Sequence, residues 1–338
     1  MSKKTRIAIN GFGRIGRLIL RAALESKRDD LEFVAINDIM PIDQSAHLLE
    51  FDSVHGRLPM PVGFDGNIIH VDGHKIAVLS EREPECMPWE ELEIDIVMEC
   101  TGIYSSAAAA KIHLDAGAKR VLVSAPSDDA DATIVFGVND SAITADAKIV
   151  SCGSCTTNCL APVAAIIDEK FGITNGWMTT VHAYTGDQSL LDRNHKDIRR
   201  ARAAAMSMIP TSTGAAKAIG LVLPNLAGKL NGIAIRVPTP DVSVVEFVAN
   251  LNTAATAEQV NDALKSAAAA GPLAGILGVT ERKLVSVDFT HDSRSSIVDA
   301  ELTKMVGDKM VHITAWYDNE WGFSNRMCDV AAEMGKLL

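Results

Sequence analysis

The run Arg6-Ile7-Ala8-Ile9-Asn10 followed at once by Gly11-Phe12-Gly13-Arg14-Ile15-Gly16 restricts this chain to few folds. The first five residues form an apolar, β-branched stretch that reads as a buried strand. A helix is expected to run from the glycine turn to about Glu25, with Ile15, Leu18, Ile19 and Ala22 on one face. A second strand, Phe33 to Asn37, ends on Asp38, 22 residues past Gly16. A bare glycine triplet is common in proteins. Between a strand and a helix, with an acid closing the next strand, it is the full dinucleotide fingerprint. The glycines let the backbone approach a pyrophosphate at the helix N-terminus, and Asp38 can accept bonds from a ribose diol.

The α/β rhythm extends beyond this unit. Asp65-Gly66 and Asp72-Gly73 lie between short apolar runs, so hairpins interrupt the parallel pattern. Strands follow at 94–99, 120–124, 132–135 and 148–151, with an alanine-rich helix from about Ser105 to Ala116. The second half differs. β-Branched runs at 177–182, 233–250, 284–290 and 310–316 predict a mostly antiparallel sheet, with helices near 214–221 and 257–270. The fold class is therefore α/β: a Rossmann-type doubly wound parallel sheet plus an α+β catalytic domain. The dinucleotide-binding domain spans 1–151 and is completed by a C-terminal helix at 323–338. The catalytic domain spans 152–322. Two domains suit 338 residues, more than one core usually accommodates.

Ser154-Cys155-Thr156-Thr157-Asn158-Cys159 lies between the strand ending at Ser151 and a helical pattern running to Lys170. Its hydroxyl and amide residues favour an N-cap and first turn. A cysteine there faces unpaired backbone N–H groups at the positive end of the helix dipole, which favours thiolate. Cys159, one turn further in, reads as a small buried residue. His182 ends a strand just before the turn Ala183-Tyr184-Thr185-Gly186-Asp187, where it can serve Cys155 as a proton acceptor. The segment 184–210 is long, polar and basic, with Arg193, Lys196, Arg199, Arg200 and Arg202, as functional or interface segments are.

Composition narrows the partners. Six cysteines are too few and too clustered for a disulfide framework, so a reducing cytoplasm is expected. A net charge of −11 speaks against nucleic acid and anionic membrane as main partners. No apolar run approaches a membrane span, and no apolar signal segment opens the chain.

Five stretches together resemble phosphorylating glyceraldehyde-3-phosphate dehydrogenases: Asn10 to Arg17, Ser154 to Cys159, Thr211 to Lys217, Arg236 to Pro240, and Asp318 to Gly322. The resemblance runs from about residue 5 to the C-terminus. It implies that Cys155 attacks the aldehyde of glyceraldehyde 3-phosphate, that His182 handles the proton, and that NAD takes the hydride. Inorganic phosphate then cleaves the thioester to give 1,3-bisphosphoglycerate. It places cofactor contacts on Gly11, Gly13, Arg14, Ile15, Gly16, Asp38, Ser124 and Asn319. One anion site falls on Thr185, Asp187 and Arg236, the other on Ser154, Thr156, Thr213 and Gly214, with Arg200 near both. No metal is called for, and a homotetramer with the basic loop at its core is implied. Two departures stand out. Cys152-Gly153 creates a Cys-x-x-Cys with Cys155, so Cys152 is either a resolving thiol or a buried filler. Arg193-Asn194 replaces a pair that is often Leu-Pro in NAD-specific members. The closely similar erythrose-4-phosphate dehydrogenases are one alternative, but they usually depart at the phosphate-site stretches, where Thr185 and Thr213-Gly214 here keep the glyceraldehyde form. A metal or cluster site on Cys152, Cys155, Cys159 and His182 is another, and it leaves the dinucleotide fingerprint unexplained.

Overall fold

The computed structural model describes residues 4–338. The chain forms two compact units, one of residues 4–134, 140–153 and 324–338, the other of residues 135–139 and 154–323.

The first unit is built on a nine-stranded sheet. Thr5–Asn10 lies inside it, paired in parallel with Leu31–Asn37 on one side and Ile96–Glu99 on the other. The parallel run continues through Arg120–Val123, Ile149–Ser151 and Ala132–Thr133 on one flank and to His74–Leu79 on the other. Because the chain winds outward from a central strand in both directions, the glycine turn falls where the strand order reverses, the usual place for a ligand in such sheets. Ile7, Ala8 and Ile9 are fully buried, as a strand covered on both faces requires. Two antiparallel hairpins extend the edge through Ile68–Val71 and Val62–Asp65. Their turns are at Gly66 and at Asp72-Gly73, all with positive φ, the backbone such tight hairpins demand. The C-terminal residues from Ser324 belong to this unit, and Met327, Val330, Ala331 and Met334 are buried.

The second unit has an eight-stranded, mostly antiparallel sheet. Ile173–Ala183 pairs with Ser243–Leu251 antiparallel and with Leu230–Val237 in parallel. Helices Cys155–Phe171, Ala215–Val222 and Ala257–Ala269 supply apolar faces to the core of this unit. Leu160, Val163 and Ile167 repeat at helical spacing and are buried in a cluster with Phe247 and Ile313. Each such side chain contributes about 1.5–3 kcal/mol on burial.

Two expected strands come out differently. The run 233–250 is broken at 238–242, where Pro238 and Pro240 remove ladder donors, leaving two strands. The run 284–290 is not a strand. Ser286–Phe289 is a turn of 3₁₀ helix, because the Asp288 carboxylate accepts the Val285 N–H at 2.9 Å and closes the backbone on itself. Phe289 is buried while Val285 and Val287 are exposed, so the β-branched pattern there reflects no sheet face.

Candidate active site

In the second unit the helix Cys155–Phe171 opens directly on Cys155. Ser154 is its N-cap, with extended backbone and a hydroxyl that accepts the Thr157 N–H at 3.0 Å. The Ser154 side chain is thus committed to its own helix. Cys155, in the first turn, is partly buried. His182 comes from the neighbouring sheet, near the end of Ile173–Ala183, and its Nε2 lies 3.4 Å from Cys155 Sγ. The parallel register sets His182 beside Arg236 on Leu230–Val237. One strand pairing therefore places a base and a cation side by side.

The ring is oriented from behind. Its Nδ1 is 2.7 Å from the Ala183 carbonyl; the neutral tautomer with its hydrogen on Nδ1 satisfies that acceptor and turns the lone pair of Nε2 toward the sulfur. Arg236 Nη1 lies 3.0 Å from Nδ1 and donates to the Ala183 carbonyl at 3.1 Å and to the Thr185 hydroxyl at 3.5 Å. Burial, with Arg236 adding to it, pushes the His182 imidazole down to about 3. Burial raises the Cys155 thiol above its usual range, opposed by Arg236 and by hydrogen bonds from Thr156 and the Cys155 backbone. A helix start alone therefore does not yield the resting thiolate that the sequence suggested, because desolvation outweighs it. Each ionisation is resisted singly. Proton transfer from Sγ to Nε2 creates two opposite charges at 3.4 Å whose attraction offsets that resistance.

Tyr317, whose phenol is fully buried, meets the His182 ring edge-on and hydrogen-bonds Thr156 and Thr180 at 2.9 and 2.8 Å. It was missed from sequence, although it precedes Asp318 to Gly322 directly and closes an apolar strand. The Thr156 hydroxyl, already paired and 4% exposed, has less to offer an anion than its residue type suggested. Ser243, also missed, accepts the Ala183 N–H and donates to Asn319 Oδ1 at 2.7 Å, which leaves Asn319 Nδ2 as the group to present to a carboxamide. Just before Ser243, buried Val242 holds φ at 64°, a left-handed conformation that costs a β-branched residue energy.

Of the phosphate candidates, Arg236 and Thr185 adjoin the Cys155–His182 pair. Asp187 and Arg200 meet each other, Nη1 to Oδ2 at 2.8 Å. Gly214 caps Ala215–Val222 without a side-chain cap bond, and the Thr213 hydroxyl accepts the Ala215 N–H at 3.2 Å. Cys159 is buried against the Ser296 hydroxyl and the Ala315 carbonyl. Cys152 is wholly buried, among the charges of Arg326 and Asp329 in the first unit, and burial pushes its thiol up to about 12. That is the filler reading of Cys152, since a thiol so hard to ionise resolves a sulfenic acid poorly. Among the described residues, Cys152, Cys155, Cys159 and His182 do not form a ligand set for a metal.

The cofactor candidates lie in the first unit, except Asn319. Gly11 has φ +94°, and a Cβ there would stand 2.7 Å from the Thr101 nitrogen. A Cβ on Gly16 would be 2.2 Å from the Gly11 carbonyl, so only glycine lets the helix close on the turn. Gly13 is the N-cap of Arg14–Glu25, with no side-chain cap bond and open space where its Cβ would be. This is a cradle into which a phosphate fits. The Arg14 side chain is bound to Asp52 at 2.7 Å, so its backbone, like that of Ile15, is what faces an anion there. Asp38 receives the Phe12 N–H on one oxygen and the Met40 N–H on the other, at 2.5 and 2.9 Å. Each oxygen keeps a lone pair for a ribose hydroxyl. Ser124 closes the strand Arg120–Val123, its amide donating to the Glu99 carbonyl.

Sequence comparison gives the same picture. Residues 5–107 match the glyceraldehyde 3-phosphate dehydrogenase NAD binding domain, and residues 154–319 match the glyceraldehyde 3-phosphate dehydrogenase C-terminal domain. The chain is 57% identical to a glyceraldehyde-3-phosphate dehydrogenase of Cereibacter sphaeroides, covering 98% of this chain and 99% of that protein. It is 57% identical to one of Xanthobacter flavus, with the same coverage, and 54% identical to one of Geobacillus stearothermophilus over 97% of each.

Proposed function

The chain belongs to the glyceraldehyde-3-phosphate dehydrogenase family, and from that premise we propose which of its residues carry the reaction. It is an NAD-dependent oxidoreductase that converts glyceraldehyde 3-phosphate and inorganic phosphate to 1,3-bisphosphoglycerate, a glycolytic step. Cys155 Sγ attacks the aldehyde carbon while His182 Nε2 takes the thiol proton. The oxyanion accepts hydrogen bonds from the protonated Nε2 and the Cys155 N–H, and its protonation gives the hemithioacetal. NAD, when bound, supplies the hydride acceptor, held by the glycine turn, Asp38, Ser124 and Asn319. His182 removes the hydroxyl proton as the thioester forms. Phosphate attacks the thioester carbonyl, the C–S bond breaks, and the acyl phosphate leaves with Cys155 restored. Arg236 with Thr185 and Asp187 binds one phosphate; Ser154, Thr156, Thr213 and Gly214 face the other, and Arg200 serves both.

The observation that carries this reading is the 3.4 Å contact of Sγ and Nε2 at a helix N-terminus, with Arg236 beside the ring. The test is NAD reduction with glyceraldehyde 3-phosphate, with and without phosphate or arsenate. Turnover that needs neither anion sinks the assignment.

Assembly and location belong to the same proposal. Leu190, Leu191, Ile198, Met206 and Met208 are all more than 70% exposed within the 184–210 segment, an apolar surface that suits the core of a homotetramer. No described helix is long and apolar enough to cross a membrane. With free cysteines and a net charge of −11, this supports a cytoplasmic enzyme that binds neither membrane nor nucleic acid.

A further inference from the structure

His195 lies in the basic segment between Ile173–Ala183 and Ile209–Ser212, and it closes a ring of hydrogen bonds around Arg200. The Asp197 amide donates to His195 Nδ1 at 2.9 Å, which leaves the hydrogen of the neutral imidazole on Nε2. Nε2 then donates to Asp187 Oδ1 at 3.2 Å. The other oxygen of that carboxylate accepts Arg200 Nη1 at 2.8 Å. Arg200 Nε donates to the Thr211 hydroxyl at 2.9 Å, and that hydroxyl donates to the Asp197 carboxylate at 2.7 Å, where the ring began. Nδ1 also lies 3.1 Å from the Asp197 carbonyl. A protonated ring exchanges one backbone partner for the other and keeps its Nε2–H on Asp187.

The ring fixes what Arg200 has left to give. A guanidinium carries five N–H donors. Here Nε is used on Thr211, one Nη1 hydrogen on Asp187 and one Nη2 hydrogen on the Ser212 carbonyl at 3.3 Å. One hydrogen on each Nη remains, the fork that grips a phosphate through two oxygens. Asp187 sets that aim, yet its side chain is 43% exposed, and an exposed ion pair holds geometry weakly. His195, with a side chain only 12% exposed, grips the carboxylate from the opposite side. Burial, which alone raises an acid, is outweighed at Asp187 by these His195 and Arg200 contacts, so the carboxylate stays charged.

We propose that His195 is a positioning residue for phosphate recognition: by holding Asp187 it aims the Arg200 fork, and so favours phosphorylated over unphosphorylated aldehydes. The inference rests on Arg200 being a phosphate ligand. The test compares kcat/KM for D-glyceraldehyde 3-phosphate and for D-glyceraldehyde at saturating inorganic phosphate, using the full chain. His195→Leu should lower the ratio of the two about tenfold, mainly through KM for the phosphorylated aldehyde, the lower end of what a bond to a charged group is worth. His195→Gln, whose amide nitrogen can reach Asp187 in place of Nε2, should recover most of the ratio. Arg200→Gln should lower it further than either. If Arg200→Gln lowers the ratio and His195→Leu does not, His195 has no part in recognition and the phosphate reading survives. An equal loss on both aldehydes for His195→Leu likewise overturns the inference, since it marks a general structural defect. An unchanged ratio for Arg200→Gln removes Arg200 from recognition of the aldehyde's phosphate, and the inference with it.

Discussion

Replacing His182 by glutamine tests the central claim, that Cys155 is ionised through its partner rather than by its helix. In the wild type the sulfur loses its proton to Nε2, and the resulting charges stand 3.4 Å apart. At an effective dielectric constant of about 20, their attraction is on the order of 5 kcal/mol at that separation. That is an upper bound of three to four powers of ten in thiolate population. Arg236 Nη1, 3.0 Å from Nδ1, repels an imidazolium and takes back part of the gain. The variant retains the helix N-terminus and Arg236 but must form its thiolate alone, against the burial that raises the thiol. Alkylation of Cys155 by iodoacetamide at pH 7 should therefore slow roughly 10- to 100-fold in His182→Gln. The two proteins should converge only at a pH above the raised range of the buried thiol, where both ionise to bulk solvent. The pH profile is measured as a rate of single-site modification, with Cys155→Ser as the blank. Superimposable profiles for wild type and variant would refute the reasoning and return the credit to the helix.

Three further outcomes follow from the same geometry. Cys155→Ser should keep NAD binding and lose nearly all dehydrogenase activity, whereas Cys159→Ser, altering a core thiol packed on Ser296 and Ala315, should keep most of it; assays of both variants with the natural aldehyde decide, and a reversed pattern rejects the helix-start assignment. Mild peroxide should inactivate the enzyme without forming a Cys152–Cys155 disulfide, because the Cys152 thiol is buried and pushed up to about 12; peptide mass spectrometry showing that link proves the filler reading wrong. Asp38 repels a 2′-phosphate, so kcat/KM should clearly favour NAD over NADP. Asp38→Ala should also weaken NAD itself, since it frees the Phe12 and Met40 amides; an unchanged NAD KM in that variant removes Asp38 from the pocket.

Much of this molecule was legible in its sequence because local signals there had no competitor. Gly11, Gly13 and Gly16 sit where a side chain would strike backbone or close a needed cradle, so composition and geometry agree. Ser154 reads as an N-cap and is one. What escaped was whatever depends on two distant strands meeting. Nothing in the spacing of His182 and Arg236 announces that they are register partners, and Tyr317, just past the expected strand at 310–316, carried no signal that its hydroxyl meets Thr156 and Thr180. Desolvation was the other blind spot. The N-terminus of a helix argues for a thiolate, and only coordinates reveal that burial argues harder for the thiol. The 284–290 run misled for a simpler reason: β-branched residues mark a strand only where they have a sheet to face, and Val285 and Val287 face water.

The composition of the first unit bears on the order in which the protein is made. Its sheet is complete in sequence by Ser151, yet it owns residues 324–338, which are made only after the whole of the second unit. The second unit, ending at Phe323, has all its residues earlier. A nascent chain therefore carries an unfinished nucleotide-binding unit throughout the synthesis of the second unit. During that interval the surface destined for Met327, Val330 and Met334 stays uncovered. At about 5–20 residues per second, that wait lasts on the order of ten seconds to half a minute. Emergence of residues 324–338, rather than of the segment ending at Ser151, is the moment at which the dinucleotide fold becomes whole.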